Sequence, residues 1–243
     1  TLFVATLEGG AVVTVDRDPW GGQPRVSWSS DSRWIAYARG VEDNRFTTAI
    51  RLFDRESGAV HQVTSGRFLD SWPTFDREGK YLFFASQRDF TRPIYEDVGT
   101  TWVYADTDRL YVVPLRRDLP SPLAPTSDEE NGADDEEDDE DKAKGKDDDK
   151  GSKGKKGDSD EKEGEEPPKP VTIDLDGFEQ RAVLLPVDRG GFASLGVNDD
   201  GHLVYLRGPR SGSDDDASIR ILDLSKEKER GGPGNGDRGD RPG

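Results

Sequence analysis

The sequence contains no cysteine and no methionine. Without cysteine the chain can form no disulfide, thiol nucleophile or thiolate metal site, which suits a reducing compartment and favours a cytoplasmic location. No apolar run approaches the roughly 18–20 residues that span a membrane, and nothing near Thr1 resembles a signal peptide. Because methionine is missing even from position 1, we expect a segment of a longer polypeptide. A signal peptide upstream of residue 1 would make the location periplasmic or secreted instead.

Apolar residues are also scarce, at 31% of the chain against 35% charged residues. The deficit is local, because residues 128–166 hold 20 acidic residues and 8 lysines, a net charge of −12 out of −17 for the whole chain. Such a tract cannot bury enough apolar surface to offset its conformational entropy. We therefore predict a disordered acidic and lysine-rich insert over residues 126–170. It separates two ordered regions, residues 1–125 and 171–225, and a charged glycine-rich tail follows over residues 226–243.

The negative charge restricts the partners that the chain can bind. It repels phosphate, and no basic stripe alternates with aromatic residues, so we expect no nucleic-acid partner. The insert is either a tolerated solvated insertion or a site that attracts a basic partner. Residues 134–141 lack the glycine and the spacing of a calcium-binding loop, and Asn198–Gly201 is typical of a hairpin turn.

No long segment has helical periodicity, whereas one short pattern occurs three times. Each copy has an aromatic or apolar residue, a polar turn and a dense apolar run. The copies begin at Trp28, Phe75 and Val197, and 47 residues separate the first two. A period near 40–50 residues with about four short strands per unit is typical of a β-propeller blade. The sequence therefore predicts an all-β fold, a partial β-propeller of about three to four blades made of four-stranded antiparallel sheets.

Further strands are predicted from alternating or dense apolar runs bounded by turn residues. The predicted strands are residues 2–7, 11–15, 49–54, 59–64, 109–114, 171–175, 181–187 and 218–224. Since residues 109–114 end at Pro114, this strand is predicted to lie at a sheet edge.

Several segments resemble a known family. Residues 63–84 are similar to the propeller repeat (PD40 repeat) shared by TolB and tricorn-type peptidases. More specific are residues 85–95, residues 111–125 and above all residues 173–187, IDLDGFEQRAVLLPV. These resemble the later blades of the second, seven-bladed propeller of tricorn protease homologues.

The resemblance implies a non-catalytic propeller segment of an S41-type serine peptidase, a hydrolase that degrades peptides, in which the propeller gates or channels substrate. The implied partners are peptide substrates, the remaining propeller blades, and PDZ and peptidase domains of the same polypeptide. Whether the chain forms a homo-oligomer is left open, and no membrane partner is expected. The alternative is a TolB-like propeller that binds a protein partner and has no peptidase attached. A propeller-type prolyl oligopeptidase would require an α/β-hydrolase domain, which this sequence lacks.

No residue is assigned a catalytic, cofactor-binding or metal-binding role. A serine nucleophile usually needs a histidine base, and His61 and His202, the two histidines of the chain, have no GxSxG motif to serve. Both are therefore predicted to be structural or surface residues. Six aromatic residues can either line a peptide channel or pack between blades, and packing is favoured. They are Trp28, Trp34, Phe75, Tyr81, Phe83 and Phe84.

Overall fold

The chain folds into short strands joined mostly by tight turns. The computed structural model describes residues 1–91, 93–97, 101–124 and 168–229, and the predicted acidic insert lies outside these ranges except for residues 168–170. The elements are β1 Leu2–Ala5, β2 Val12–Asp16, β3 Val26–Trp28, β4 Trp34–Val41, β5 Asn44–Asp54, β6 Val60–Gln62, β7 Asp70–Phe75, β8 Tyr81–Gln87, β9 Pro93–Asp97, β10 Thr101–Tyr104, β11 Asp108–Pro114, a 3-10 helix Glu179–Arg181, β12 Val183–Leu184, β13 Phe192–Val197, β14 Leu203–Arg207, β15 Ser218–Leu222 and α1 Leu224–Glu229.

The strands form small antiparallel sheets that follow one another in chain order. Sheet I contains β1 and β2, sheet II has the order β3-β4-β5-β6, sheet III the order β12-β11-β8-β7, and sheet IV the order β13-β14-β15. The hairpin β9–β10 is inserted between β8 and β11. Sheet II packs against sheet III through β7, and sheet III packs against sheet IV through β13. The predicted partial propeller is confirmed.

The repeated sequence pattern corresponds to the first hairpin of sheets II, III and IV. Trp28, Phe75 and Val197 each end the first strand of their sheet, and a short turn leads into the second strand. In the last two turns a side-chain oxygen closes the loop. Asp76 Oδ1 accepts the Lys80 N–H at 2.8 Å, and Asn198 Oδ1 accepts the His202 N–H at 2.8 Å. These contacts explain why the polar turn residues recur before each apolar run.

Each pair of neighbouring sheets encloses its own apolar core. Ile35, Tyr37 and Phe53 of sheet II pack against sheet I. The core between sheets II and III includes Trp34, Ile50, Leu52, Phe75, Leu82, Phe84 and Val113. The core between sheets III and IV includes Phe83, Leu110, Val112, Phe192, Leu203, Tyr205 and Leu222. Face-to-face burial of this kind is the main source of stability for stacked sheets.

The segment that follows the insert is not the strand predicted for residues 171–175. Residues 171–178, called the wedge below, have no strand ladder, and they insert Val171, Ile173 and Phe178 into the core between sheets II and III. The Val171 N–H donates to Asp31 Oδ2 at 2.7 Å, and the Trp34 indole N–H donates to the Val171 carbonyl at 3.1 Å. Since a buried strand and a buried irregular segment share the same apolar pattern, periodicity alone could not separate them.

A buried charge network anchors the residues just after the wedge. The Arg88 guanidinium lies 3.1 Å from Asp70, which is fully buried, and 2.8 Å from Glu179. The same guanidinium stacks over the rings of Phe84 and Tyr111. Because each buried charge has a partner of opposite sign, the network joins sheet III to the chain after the wedge without an unpaired charge.

Other sequence predictions differ in detail. Strand β11 lies between β8 and β12, so the prediction of an edge strand ending at Pro114 is wrong. Proline is tolerated there because β12 pairs only with Tyr111 and Val112. Within residues 181–187 only Val183–Leu184 is a strand, and the last strand ends at Leu222. Helix α1 includes residues 226–229, which were predicted to belong to the charged tail.

We expect Gly79→Ala to lower the free energy of unfolding more than Gly201→Ala. Both glycines have positive φ, 68° and 80°, so alanine is strained at either position by about 1–2 kcal/mol. A Cβ at Gly79 would also overlap the Val171 side chain of the wedge, whereas nothing lies within 4 Å at Gly201. Overpacking adds about 1–3 kcal/mol. Urea denaturation of both variants measures the difference, and equal losses would contradict the close approach of turn and wedge.

The Arg33–Asp54 ion pair joins the residue before β4 to the last residue of β5, at one end of sheet II. The Arg33 guanidinium donates two hydrogen bonds to the Asp54 carboxylate, at 3.0 and 2.9 Å, and the Glu56 N–H and the Ser57 hydroxyl donate to it as well. The hydrogen bonds from Arg33 outweigh the opposing effect of burial and lower the pKa of Asp54 to about 2. Asp54 therefore binds its proton more weakly in the folded chain than in the unfolded chain.

The depressed pKa of Asp54 predicts a stability contribution that acid removes. The contribution is present above the unfolded-state pKa of about 4 and is lost as the pH falls toward about 2. We expect Asp54→Asn to reduce the loss of unfolding free energy between about pH 5 and about pH 2. The matched control is Asp199→Asn, because the Asp199 side chain is 92% exposed. Urea denaturation across this pH range tests the prediction, which fails if both variants follow the parent curve.

Candidate functional site

The innermost strands of sheets II, III and IV line a concave surface, called the inner groove. Strands β3, β7 and β13 lie side by side and enclose about 800 Å³ that opens to solvent. This volume is within the range of ligand-binding clefts. The lining residues are Pro24–Trp28, Ser30, Trp72–Arg77 and Leu195–Val197.

Hydroxyl groups join the three inner strands. The Phe75 N–H donates to Ser27 Oγ at 3.0 Å, which connects β7 to β3. The Thr74 hydroxyl lies 3.1 Å from the Leu195 carbonyl of β13 and 3.2 Å from the Trp72 carbonyl. The inner strands belong to different sheets and share no backbone ladder. These side-chain hydrogen bonds therefore help to set the spacing of the groove wall.

Two bulges bend the groove wall at equivalent positions of the repeat. Trp72 lies three residues before Phe75 and has φ 55°, and Ser194 lies three residues before Val197 and has φ 52°. The register of each inner strand shifts at that point. Positive φ at residues other than glycine costs on the order of 1–3 kcal/mol and persists only where surrounding structure holds it. Bulges also re-aim side chains and interrupt pairing at an exposed strand edge.

The groove carries charged side chains in different environments. The Arg25 guanidinium stacks over the Trp72 ring at 5.6 Å from its centroid. Arg77 donates to the Asn198 carbonyl at 3.0 Å and pairs with Asp199 at 2.9 Å, so it connects sheets III and IV. The Asp76 carboxylate accepts N–H groups of its own turn, and burial raises the pKa of Asp76.

The six aromatic residues singled out in the sequence do not share one environment. Trp34, Phe75, Phe83 and Phe84 are buried between sheets, and Tyr81 is half-buried, as packing between blades predicts.

Trp28 is the exception to this packing, because it is 44% exposed. It pairs with Ile35 and therefore lies on the face of sheet II that sheet I covers. Sheet I has two strands and does not reach β3, so the expected burial of Trp28 is wrong for this chain.

The histidines lie apart from the groove. His61 is in β6 of sheet II, where its ring is 6.4 Å from the Trp34 ring, and His202 follows the β13–β14 turn with Nε2 3.5 Å from Asp223. Neither lines the groove. Within the ranges that the structure describes, no three His, Asp or Glu side chains come together as a metal site, and no helix is long and apolar enough to span a membrane.

Sequence reasoning missed Arg25, Trp72 and Arg77 as groove residues. A signal was present for the first two, since they occupy the same repeat position, three residues before Trp28 and Phe75 respectively. Alignment of the repeats could have placed both on the inner strands. The stacking of Arg25 on Trp72 joins two sheets, however, and no pattern along one strand encodes it.

Comparisons with known proteins agree on one family. Residues 1–231 match the family model described as the tricorn protease second beta propeller domain. The chain is 28% identical over 213 residues to tricorn protease homolog 1 of Streptomyces coelicolor, which covers 87% of this chain and 17% of the relative. It is 28% identical over 125 residues to the tricorn protease of Thermoplasma volcanium, with coverages of 50% and 12%.

The fold comparison is consistent with the sequence comparisons. The crystal structure of the tricorn protease superposes with a TM-score of 0.63 at 18% identity, over 93% of this chain and 20% of that chain. At this identity the superposition supports the fold. The chain thus spans about a fifth or less of the length of these relatives.

We expect Phe75→Ala to destabilise the chain far more than Trp28→Ala, although the two residues are equivalent in the repeat. Phe75 is 4% exposed, and its removal should cost about 3–5 kcal/mol of unfolding free energy. Trp28 is half-uncovered, and its removal should cost about 1–2 kcal/mol. Chemical denaturation of both variants measures the costs. A loss at Trp28 as large as that at Phe75 would show that Trp28 is buried in solution.

Proposed function

Because the chain belongs to the family of tricorn protease second β-propeller domains, we propose that it is a non-catalytic propeller segment of a peptide-degrading serine peptidase. In this proposal its inner groove guides peptide substrates toward an active site carried elsewhere on the polypeptide, and its stacked sheets are the scaffold of that passage. The cytoplasmic location inferred from the lack of cysteine stays a prediction.

The inner groove is the observation that carries this proposal. It is concave, it is lined by strands from three sheets, and its lining includes an aromatic side chain, a stacked arginine and exposed backbone edges. An extended peptide presents side chains and main-chain groups that match such a surface. The groove lining contains hydroxyl groups but no histidine, and the lining carboxylate, Asp76, accepts N–H groups of its own turn. Guidance rather than cleavage therefore fits its chemistry.

The remaining blades of the propeller are the proposed partners of the open apolar surfaces near the two ends of the chain, on sheets II and IV. At one end Val26 and Trp28 are 45% and 44% exposed, and at the other Ile219 and Ile221 of β15 are 74% and 63% exposed. Ile219 and Ile221 pair with Leu206 and Val204, so one face of sheet IV is apolar and open. Exposed apolar sheet faces of this kind are normally covered by a neighbouring sheet.

The test is Trp72→Asn in the intact polypeptide that carries this chain. Asparagine tolerates the positive φ of this position but removes the ring. We expect the ratio of kcat/KM for long peptides to kcat/KM for short peptides to fall about two- to tenfold, which is the value of one aromatic contact. The matched control is Phe46→Asn, which removes a 75% exposed ring outside the groove.

Two outcomes would contradict the proposal. If a thermal melt shows that Trp72→Asn is folded and the ratio of kcat/KM values is unchanged, the groove is not part of the substrate path. An intact polypeptide without peptidase activity that binds a protein partner would support the TolB-like alternative instead.

A further inference from the structure

Arg25 is a groove cation with no partner of opposite charge among the residues that the structure describes. It is exposed on the chain just before β3, and among the described residues no carboxylate forms an ion pair with it and none accepts a hydrogen bond from it. Most other arginines of the described residues have such partners, as Arg77 does in the same groove. With respect to the described part of the chain, the guanidinium of Arg25 therefore has its five N–H donors available to a ligand.

The Trp72 ring is the contact that orients the Arg25 guanidinium. The guanidinium lies over Trp72, and the bulge at Trp72 and Pro73 fixes the direction of that ring. Stacking on an aromatic face leaves the edge of a guanidinium, which carries the N–H groups, open for a planar acceptor such as a carboxylate. Because part of the rotamer entropy is already lost, binding of such an acceptor costs less than it would at a free arginine.

The local charge of the groove differs from that of the whole chain. The chain carries a net charge of −17, yet the ionisable groups that line the groove are Arg25, Arg77 and Asp76. The Asp76 carboxylate is turned toward the N–H groups of Lys80 and Tyr81 in its own turn. Because Arg77 is paired with Asp199, Arg25 is the charge of this lining that attracts a negatively charged group.

In a second arginine-rich cavity, the guanidinium groups already have partners, unlike that of Arg25. This cavity encloses about 600 Å³ near the ends of β11 and β14 and includes Arg109 and Arg207. Arg109 pairs with Asp89 at 3.1 Å, and Arg207 donates to the carbonyls of Asp188 and Arg189 at 2.7 and 2.5 Å. These guanidinium groups are engaged in holding loops together, so this cavity lacks the free donors of the inner groove.

We propose that the inner groove selects peptide segments in which a carboxylate lies next to an apolar or aromatic residue, with Arg25 binding the carboxylate and Trp72 the apolar group. This selectivity rests on the proposed function, because it names the class of peptide that the same groove guides. The carboxylate can come from an Asp or Glu side chain or from a peptide C-terminus, since both present the same planar acceptor.

The experiment measures the binding of fluorescently labelled ten-residue peptides to the intact polypeptide by anisotropy, after covalent inactivation of its peptidase serine. One peptide pair differs only in a central Glu or Gln beside a Phe, and a second pair differs only in a C-terminal carboxylate or amide. We expect the acid member of at least one pair to bind about threefold more tightly, as for one exposed charge pair. The pair that shows the preference identifies the source of the carboxylate.

Three variants assign the preference to Arg25. Arg25→Gln should abolish it, and Arg25→Lys should retain part of it, because lysine keeps the charge but not the planar donor edge. The matched control is Arg45→Gln, since Arg45 stacks over exposed Phe46 at 5.5 Å but does not line the groove. The preference should also weaken as salt is raised.

The outcomes separate this inference from the function on which it rests. Equal binding of acid and neutral peptides, or a preference that survives Arg25→Gln, would overturn the selectivity while leaving the groove as a peptide path. A wild-type polypeptide that binds none of the four peptides would overturn both proposals. Loss of the preference in Arg45→Gln would show that general surface charge, and not the groove, causes it.

Discussion

Burial of apolar faces between successive sheets is the constraint on which the rest of this structure depends. The core between sheets II and III is completed by the wedge, which contributes Val171, Ile173 and Phe178 to it. Both ends of that part of the chain are held by polar contacts, Asp31 at one end and Arg88 with Glu179 at the other. Residues far apart in sequence thus complete one interface, and this interface sets the distance between the inner strands.

The groove follows from that stacking. When sheets pack around a common axis, their innermost strands present edges rather than faces, and edges carry unpaired backbone groups. Here hydroxyl side chains connect the edges, and bulges at Trp72 and Ser194 interrupt them. The same features protect the edges from unwanted pairing and aim side chains at the groove. The shape of the site therefore depends on the edge strands of the sheets, and the apolar cores between the sheets support it.

The comparisons and the exposed apolar sheet faces are both consistent with a chain that packs against further blades. The chain covers less than a fifth of the length of tricorn protease homolog 1, and its first and last sheets leave apolar surface uncovered. Trp28 is one example. Its repeat equivalent Phe75 is buried by the preceding sheet, whereas sheet I has no inner strand that covers Trp28. In a closed propeller the same position would have a neighbouring blade, which connects the exposure of Trp28 to the proposed partners.

The sequence by itself determined the all-β class, the repeated hairpins and the glycine turns, because alternation, turn chemistry and positive φ are local properties of the chain. Gly79 and Gly201 were recognisable as turn residues for this reason. Only the tertiary structure decided that residues 171–178 are a wedge rather than a strand, that Trp28 is exposed and that Arg25 stacks on Trp72. Each of these depends on which sheet lies beside the residue, and the sequence pattern of a single strand does not record its neighbours across a gap of tens to more than a hundred residues.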